Sequence, residues 1–140
     1  MDTCLADYVA FIGGLLQGRL LSATTLTEMT RPSIEIFSRS QFPTLSTETT
    51  DENRAVGLGY GVAWGVLERT PYGRAFFKEG HDDGWTHYTI CYAKSKTAVV
   101  LMSNSSNGEG IFKELHEFLT GDRSLPWRWE NYAPYDLPKK

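Results

Sequence analysis

Ten consecutive residues, Glu79-Gly80-His81-Asp82-Asp83-Gly84-Trp85-Thr86-His87-Tyr88, place two histidines, two aspartates and two glycines between segments that both read as strand. Ionisable residues where a strand pattern favours apolar ones mark either a tight turn or a site. As metal ligands they could offer nitrogen and oxygen, and along one continuous strand His81, Asp83 and His87 would share a face with Asp82 opposed. The spacing matches no familiar zinc or calcium pattern, so neither a metal nor a cofactor is expected. A Ser-His-Asp set can be drawn on paper from the many serines, but Gly-x-Ser-x-Gly is absent and no serine is followed three residues later by lysine. Ser105-Ser106-Asn107 matches Ser-x-Asn literally and reads better as a helix cap. The sequence holds no recognisable nucleophile. Taken alone, His81 reads equally as a working group and as a turn histidine bonded to Asp82 or Asp83, whereas His87 and His116 read as structural or surface residues.

The elements that must position this stretch can be read in order. Leu5, Val9, Ile12, Leu15 and Leu16 fall at helical spacing behind an Asp2-Thr3 cap, with Tyr8 and Phe11 flanking and Gly18 as a stop. Ser22 caps a short second helix through Leu26 and Met29 that Arg31-Pro32 ends. Residues 33–55, rich in Ser, Thr and Pro, read as a long surface loop. Residues 58–68 alternate as one strand, Tyr60, Val62, Trp64 and Val66 on one face and Gly59, Gly61, Ala63 and Gly65 on the other. A glycine face predicts that something approaches closely there. Pro71-Tyr72-Gly73 is a turn, and the strand from Arg74 to Lys78 runs into the histidine stretch. Tyr88, Ile90 and Tyr92 alternate as the strand beyond it, followed by a polar hairpin connection at Ala93-Lys94-Ser95-Lys96. Thr97–Ser103 is a continuous apolar run of the kind a central strand shows. A helix then carries Ile111, Phe112, Leu115, Phe118 and Leu119 on one stripe and stops at Gly121. The fold class predicted is α+β: an antiparallel sheet of about four strands, an N-terminal helical pair and a C-terminal helix packed on the sheet. Residues 1–140 read as a single domain, with 122–140 an aromatic and proline-rich tail lying across its surface.

Composition narrows the function classes. Of 140 residues, 41% are hydrophobic and 22% charged, ordinary values for a globular chain. A net charge of −3 gives no basic footprint, so nucleic acid is not expected as a partner. No apolar run approaches the roughly 18 residues that span a bilayer, and the N-terminal stretch lacks the positive region of a signal peptide. Cys4 and Cys91 show no paired spacing and read as two buried, reduced thiols, which leaves the compartment open.

Several motifs, taken in succession, resemble a known family. Asp7-Tyr8-Val9-Ala10-Phe11, Leu20-Leu21-Ser22 and Glu28-Met29 before Arg31-Pro32 look like the late helical pair of serine β-lactamase-like proteins. Gly59-Tyr60-Gly61-Val62-Ala63-Trp64-Gly65-Val66 resembles their Tyr-Gly-Leu-Gly-Trp-Gly strand. Gly80-His81-Asp82-Asp83-Gly84 stands where Gly-His-x-Gly-Gly is usual, and Ala98–Asn104 is similar to the strand that ends in Asn. The resemblance runs through about residue 120 and is to the C-terminal portion only of the class C β-lactamase and penicillin-binding-protein-like serine hydrolases. It implies acyl transfer on a β-lactam, ester or D-amino-acid peptide, with the Ser-x-x-Lys nucleophile and Tyr-x-Asn element absent from this chain. By the same resemblance His81 takes the third-motif Lys/His position, the Gly84 amide completes an oxyanion hole, and Tyr60, Asp83 and Trp85 line the substrate. Asp83 and His87 replace glycines usual in the family, which points to a different substrate or a lost activity. The partner expected is a small-molecule or peptide substrate once an N-terminal half completes the site. The alternative is a non-catalytic interaction module that docks or self-associates through an exposed sheet face.

Overall fold

A computed structural model describes residues 3–132 and 134. The order is α1 (Leu5–Leu16), α2 (Ala23–Met29), β1 (Ile34–Glu35), β2 (Leu58–Tyr60), β3 (Gly65–Thr70), β4 (Gly73–Asp82), β5 (Trp85–Tyr92), β6 (Thr97–Ser103), a 3-10 turn (Gly108–Ile111) and α3 (Phe112–Thr120). The strands form one antiparallel sheet in sequence order, β1 to β6. The α+β class is as predicted, with six strands where about four were expected; the extra two are the short β1 and β2 at one edge.

Alternation along β4 and β5 sends side chains to two separate cores. Phe77, Tyr88, Ile90 and Tyr92 face Phe112, Leu125, Trp127, Trp129 and Tyr132. Phe76 and Cys91 face Ile12, Leu15, Leu16 and Trp64, with Tyr8 and Met29 partly buried beside them. The helical pair therefore covers one face of the sheet, and α3 with the tail covers the other. The tail is core rather than surface dressing as far as Tyr132; its aromatics pack against Tyr88, with the Trp127 ring centroid 4.8 Å away. Residues 133 and 135–140 of the expected tail lie outside the described residues. The long loop is tied to this tail: Trp129 Nε1 donates to Ser38 Oγ at 3.0 Å, and Gln41 N donates to the Trp129 carbonyl at 2.7 Å.

Five expectations need correction. The alternating run 58–68 is a hairpin, because Ala63 takes a left-handed φ of 67° and Gly61 N bonds the Trp64 carbonyl at 2.9 Å, reversing the chain. Val62 is consequently exposed while Trp64 is buried. Its glycines are closely approached, as predicted: a Cβ on Gly61 would sit 2.5 Å from the Met29 carbonyl oxygen and one on Gly59 2.8 Å from that of Ile34. The glycine face is thus already filled by this chain and offers no docking surface. The buried stripe of α1 is Ile12, Leu15 and Leu16, with Tyr8 half-buried, while Leu5 and Val9 are exposed. Cys4, at the N-cap with no side-chain cap bond, is exposed, whereas Cys91 is buried and its thiol is pushed up to about 12 by desolvation. Asp2 of the proposed cap lies outside the described residues.

On α3 the core-facing residues are Phe112 and His116; Leu115, Phe118 and Leu119 point to solvent. Finally, among the described residues β6 pairs only with β5, so the most apolar strand is an edge of this sheet and not its centre. Ser22 and Gly121 do as predicted: Ser22 Oγ accepts from Thr25 N at 3.1 Å, and Gly121 closes α3 at φ 73°.

Candidate functional site

The histidine stretch is the tip of the β4–β5 hairpin. Eight cross-strand pairs run from Ala75↔Tyr92 to Asp82↔Trp85, leaving Asp83-Gly84 as a two-residue turn. Gly84 has φ 87°, a conformation that favours glycine, and Asp82 Oδ1 accepts from Asp83 N at 2.8 Å. A second tie comes from the loop after β6: Gly84 N donates to Ser106 Oγ at 2.8 Å and Thr86 Oγ1 to the Ser105 carbonyl at 3.2 Å. Ser105-Ser106-Asn107 is thus a brace for the turn rather than a side-chain helix cap, and the N-cap Asn107 makes no side-chain cap bond.

Because cross-strand partners share a face, the chain reversal separates the two histidines. His81 pairs with Thr86, whereas His87 pairs with Gly80. They lie on opposite faces, contrary to the single-strand expectation. On the α1 side Trp85 stacks on His87, ring centroids 4.7 Å apart and planes at 20°. Tyr8, Lys78, Gly80, Trp85, His87 and Met102 line a cavity there of about 460 Å³. Tyr60 closes its neighbourhood: Lys78 Nζ donates to Tyr60 Oη at 3.1 Å and sits 5.8 Å from the ring centroid.

On the tail side His81 Nδ1 lies 3.5 Å from Glu79 Oε2, and the Phe42 ring meets the imidazole edge-on at 6.4 Å. Its carboxylate partner is Glu79, not Asp82 or Asp83. Glu79 Oε1 accepts from Gln41 Nε2 at 3.1 Å. Behind it, buried Glu130 accepts from Tyr88 Oη at 3.2 Å on one oxygen, and its Oε2 has no partner among the described residues. Burial raises the Glu130 carboxyl well above its usual range; the Tyr88 hydrogen bond opposes that shift and the nearby Glu79 charge adds to it. Glu79 was readable in the sequence, since two residues from His81 on a strand means the same face. Gln41 and Glu130 were not, because they arrive from the loop and the tail.

The hairpin tip therefore carries His81, Asp83, Gly84 and Trp85 close in sequence, but His81 faces the tail side and Trp85 the α1 side, where Tyr60 of β2 meets Lys78. The pairing of β3 with β4 stops at Gly65↔Phe77, so Lys78–Asp82 has β5 as its strand partner and an open opposite edge among the described residues. An exposed imidazole, a turn amide and an open strand edge can together position a carbonyl compound. They supply no attacking atom. No helix among the described residues is long and apolar enough to cross a membrane.

No family model and no curated protein matches the sequence. Among solved structures the chain is similar to the octameric penicillin-binding protein homologue from Pyrococcus abyssi, with a TM-score of 0.63 and 16% identity over 91% of this chain. The match covers 27% of that protein's chain. At this identity the likeness is one of fold: the three helices and antiparallel sheet are arranged as in part of a penicillin-binding-protein-like domain.

Proposed function

We propose that this chain builds one wall of an acyl-transfer site in a penicillin-binding-protein-like serine hydrolase acting on a β-lactam, ester or D-amino-acid peptide. The nucleophilic serine and its lysine come from residues outside this sequence. His81 orients the substrate and sets the local electrostatics, and the Gly84 amide donates to the developing oxyanion once it exchanges Ser106 Oγ for that oxygen. Tyr60, Asp83 and Trp85 contact the rest of the substrate, whose extended part lies along the open edge of Lys78–Asp82. The observation that carries this reading is the hairpin tip, where His81 stands on a strand whose edge β3 leaves open and Gly84 closes the adjoining turn. Asp83, exposed in the turn, would disfavour an oxyanion close by and so selects against the family's usual β-lactam geometry.

The test is covalent labelling. The purified chain, incubated with a fluorescent penicillin or an activated ester, should take up no label by itself. Stoichiometric labelling of one of its own serines would overturn the reading. Joined to a segment bearing Ser-x-x-Lys, it should label, and His81→Ala should reduce that labelling.

A second reading, a non-catalytic interaction module, draws support from β6. The strand carries no charged residue, pairs on one side only among the described residues, and borders a cavity of about 600 Å³ lined by Tyr72, Tyr92, Val99 and Leu119. Phe118 and Leu119 on the adjoining α3 are 87% and 60% exposed. Such an edge receives further strands, from the rest of a larger domain or from another chain. Light scattering that shows a monomer at high concentration would dispose of self-association through it.

A further inference from the structure

We infer that Glu79 is the positioning residue of His81, and that the loop between β1 and β2 sets its geometry through Gln41. The inference rests on the reading of His81 as the group that meets a ligand. Glu79 and His81 are two residues apart on one strand face, with Nδ1 and Oε2 at 3.5 Å. The two side chains differ sharply in freedom: His81 is 54% exposed and Glu79 13%. A nearly buried carboxylate beside an exposed imidazole is the arrangement in which the acid orients and the ring works.

The carboxylate is itself held. Its other oxygen accepts from Gln41 Nε2 at 3.1 Å, which fixes the carboxylate with Oε2 toward the imidazole. Gln41 is fixed in turn, its backbone N–H donating to the Trp129 carbonyl at 2.7 Å, and buried Trp129 is bound to Ser38 of the same loop. Phe42, the next residue, closes one side of the ring edge-on. Thus a chain of contacts runs from the core of the tail through the loop to the imidazole. A carboxylate at Nδ1 holds the proton there and leaves the Nε2 lone pair turned to the ligand. His81 then accepts a hydrogen bond from a substrate O–H or N–H, a task that a lysine ammonium, with donors only, cannot do.

The test reads the ring directly. In the ¹⁵N-labelled full chain at pH 8.5, about two units above the ordinary histidine value, long-range ¹H–¹⁵N correlations report the tautomer of each histidine. His81 should show the Nδ1–H form, and Glu79→Ala should convert it to the Nε2–H form while His87 and His116 stay unchanged. Gln41→Ala, at a loop residue, should loosen the carboxylate and move His81 alone part of the way. An Nε2–H signature for His81 in the wild type would overturn the inference. So would a signature that Glu79→Ala leaves unchanged in spectra showing the fold intact. If Glu79→Ala spoils those spectra, Gln41→Ala decides: a shift confined to His81 supports the inference, and no shift overturns it. The measurement needs no substrate, so its failure is distinct from a failure of acyl transfer, which penicillin labelling reads independently.

Discussion

The Gly84 amide donates to Ser106 Oγ at 2.8 Å, so the turn between β4 and β5 is tied to the loop that follows β6. The donor that an oxyanion would need is therefore satisfied internally in the resting fold. Ser106→Ala removes the acceptor at an exposed position where water can replace it. The expected cost is at most about 1 kcal/mol of stability, together with faster hydrogen exchange at Gly84 and little change elsewhere. Unchanged exchange at Gly84 would show that this hydrogen bond does not hold the turn.

Glu130 makes stability depend on pH in the sense opposite to most carboxylates. Its folded-state pKa is raised, first by burial, so the fold retains a proton that the unfolded chain releases. That contribution is complete below the unfolded value of about 4.3 and is lost as pH rises through the folded value. Glu130→Gln fixes the neutral form and can still accept from Tyr88 Oη. In urea unfolding the variant should gain on the wild type as pH rises from 4 to 8, by roughly 1–3 kcal/mol at the upper end. A difference that stays flat with pH would rule out a protonated Glu130.

These two residues also mark how far the sequence could be read. Local signals held: the Ser22 cap, the Gly121 stop and the alternation of Tyr88, Ile90 and Tyr92 all lie where the pattern put them. Patterns failed where a distant contact decides. The alternation of 58–68 continues through a turn that forms against the end of α2, where Val62 N donates to the Met29 carbonyl at 2.9 Å. On α3 the exposed residues Leu115, Phe118 and Leu119 outweigh the stripe that is buried, because His116 is held in the core by Tyr92 and Trp127, which arrive from β5 and the tail. At the site, Asp83-Gly84 carries a two-residue hairpin signal. Reading through it as one strand put His87 on the face of His81. Gln41 reaches Glu79 across 38 positions, and no local pattern reports such a separation.

Tyr92 joins α3 to the tail through one hydroxyl. It donates to Asp122 Oδ2 at 2.9 Å and lies 2.8 Å from His116 Nε2, which must then be the protonated nitrogen, since the single phenolic hydrogen is already used. Tyr92→Phe leaves both groups buried without this partner and should cost about 1–3 kcal/mol. Burial lowers the His116 pKa, against the opposing charges of Asp122 and Glu117. Stability from the neutral ring is thus present above the unfolded value of about 6.5 and is lost as pH falls below it. His116→Gln keeps a donor to Tyr92 and should abolish that acid limb in thermal melts between pH 7.5 and 5. Persistence of the limb in the variant would assign it to another group.

Gly65 shows how tightly the sheet is built under the tail. A Cβ at this position would collide with the ring of Phe77, its cross-strand partner. Phe77 has no room to yield, because it stacks on Tyr88 at 6.1 Å and meets Trp129 edge-on at 6.5 Å. Gly65→Ala is therefore an overpacking change in a filled core and should cost about 1–3 kcal/mol. Phe77→Leu alone also destabilises, by removing ring contacts, yet it clears the space that the new methyl needs. The double variant should accordingly lose at least about 0.5 kcal/mol less than the sum of the single losses, the coupling expected of residues in contact. Strict additivity in urea unfolding would mean that β3 shifts to accept the methyl. It would then also move the end of the β3–β4 pairing that leaves the edge beside His81 open.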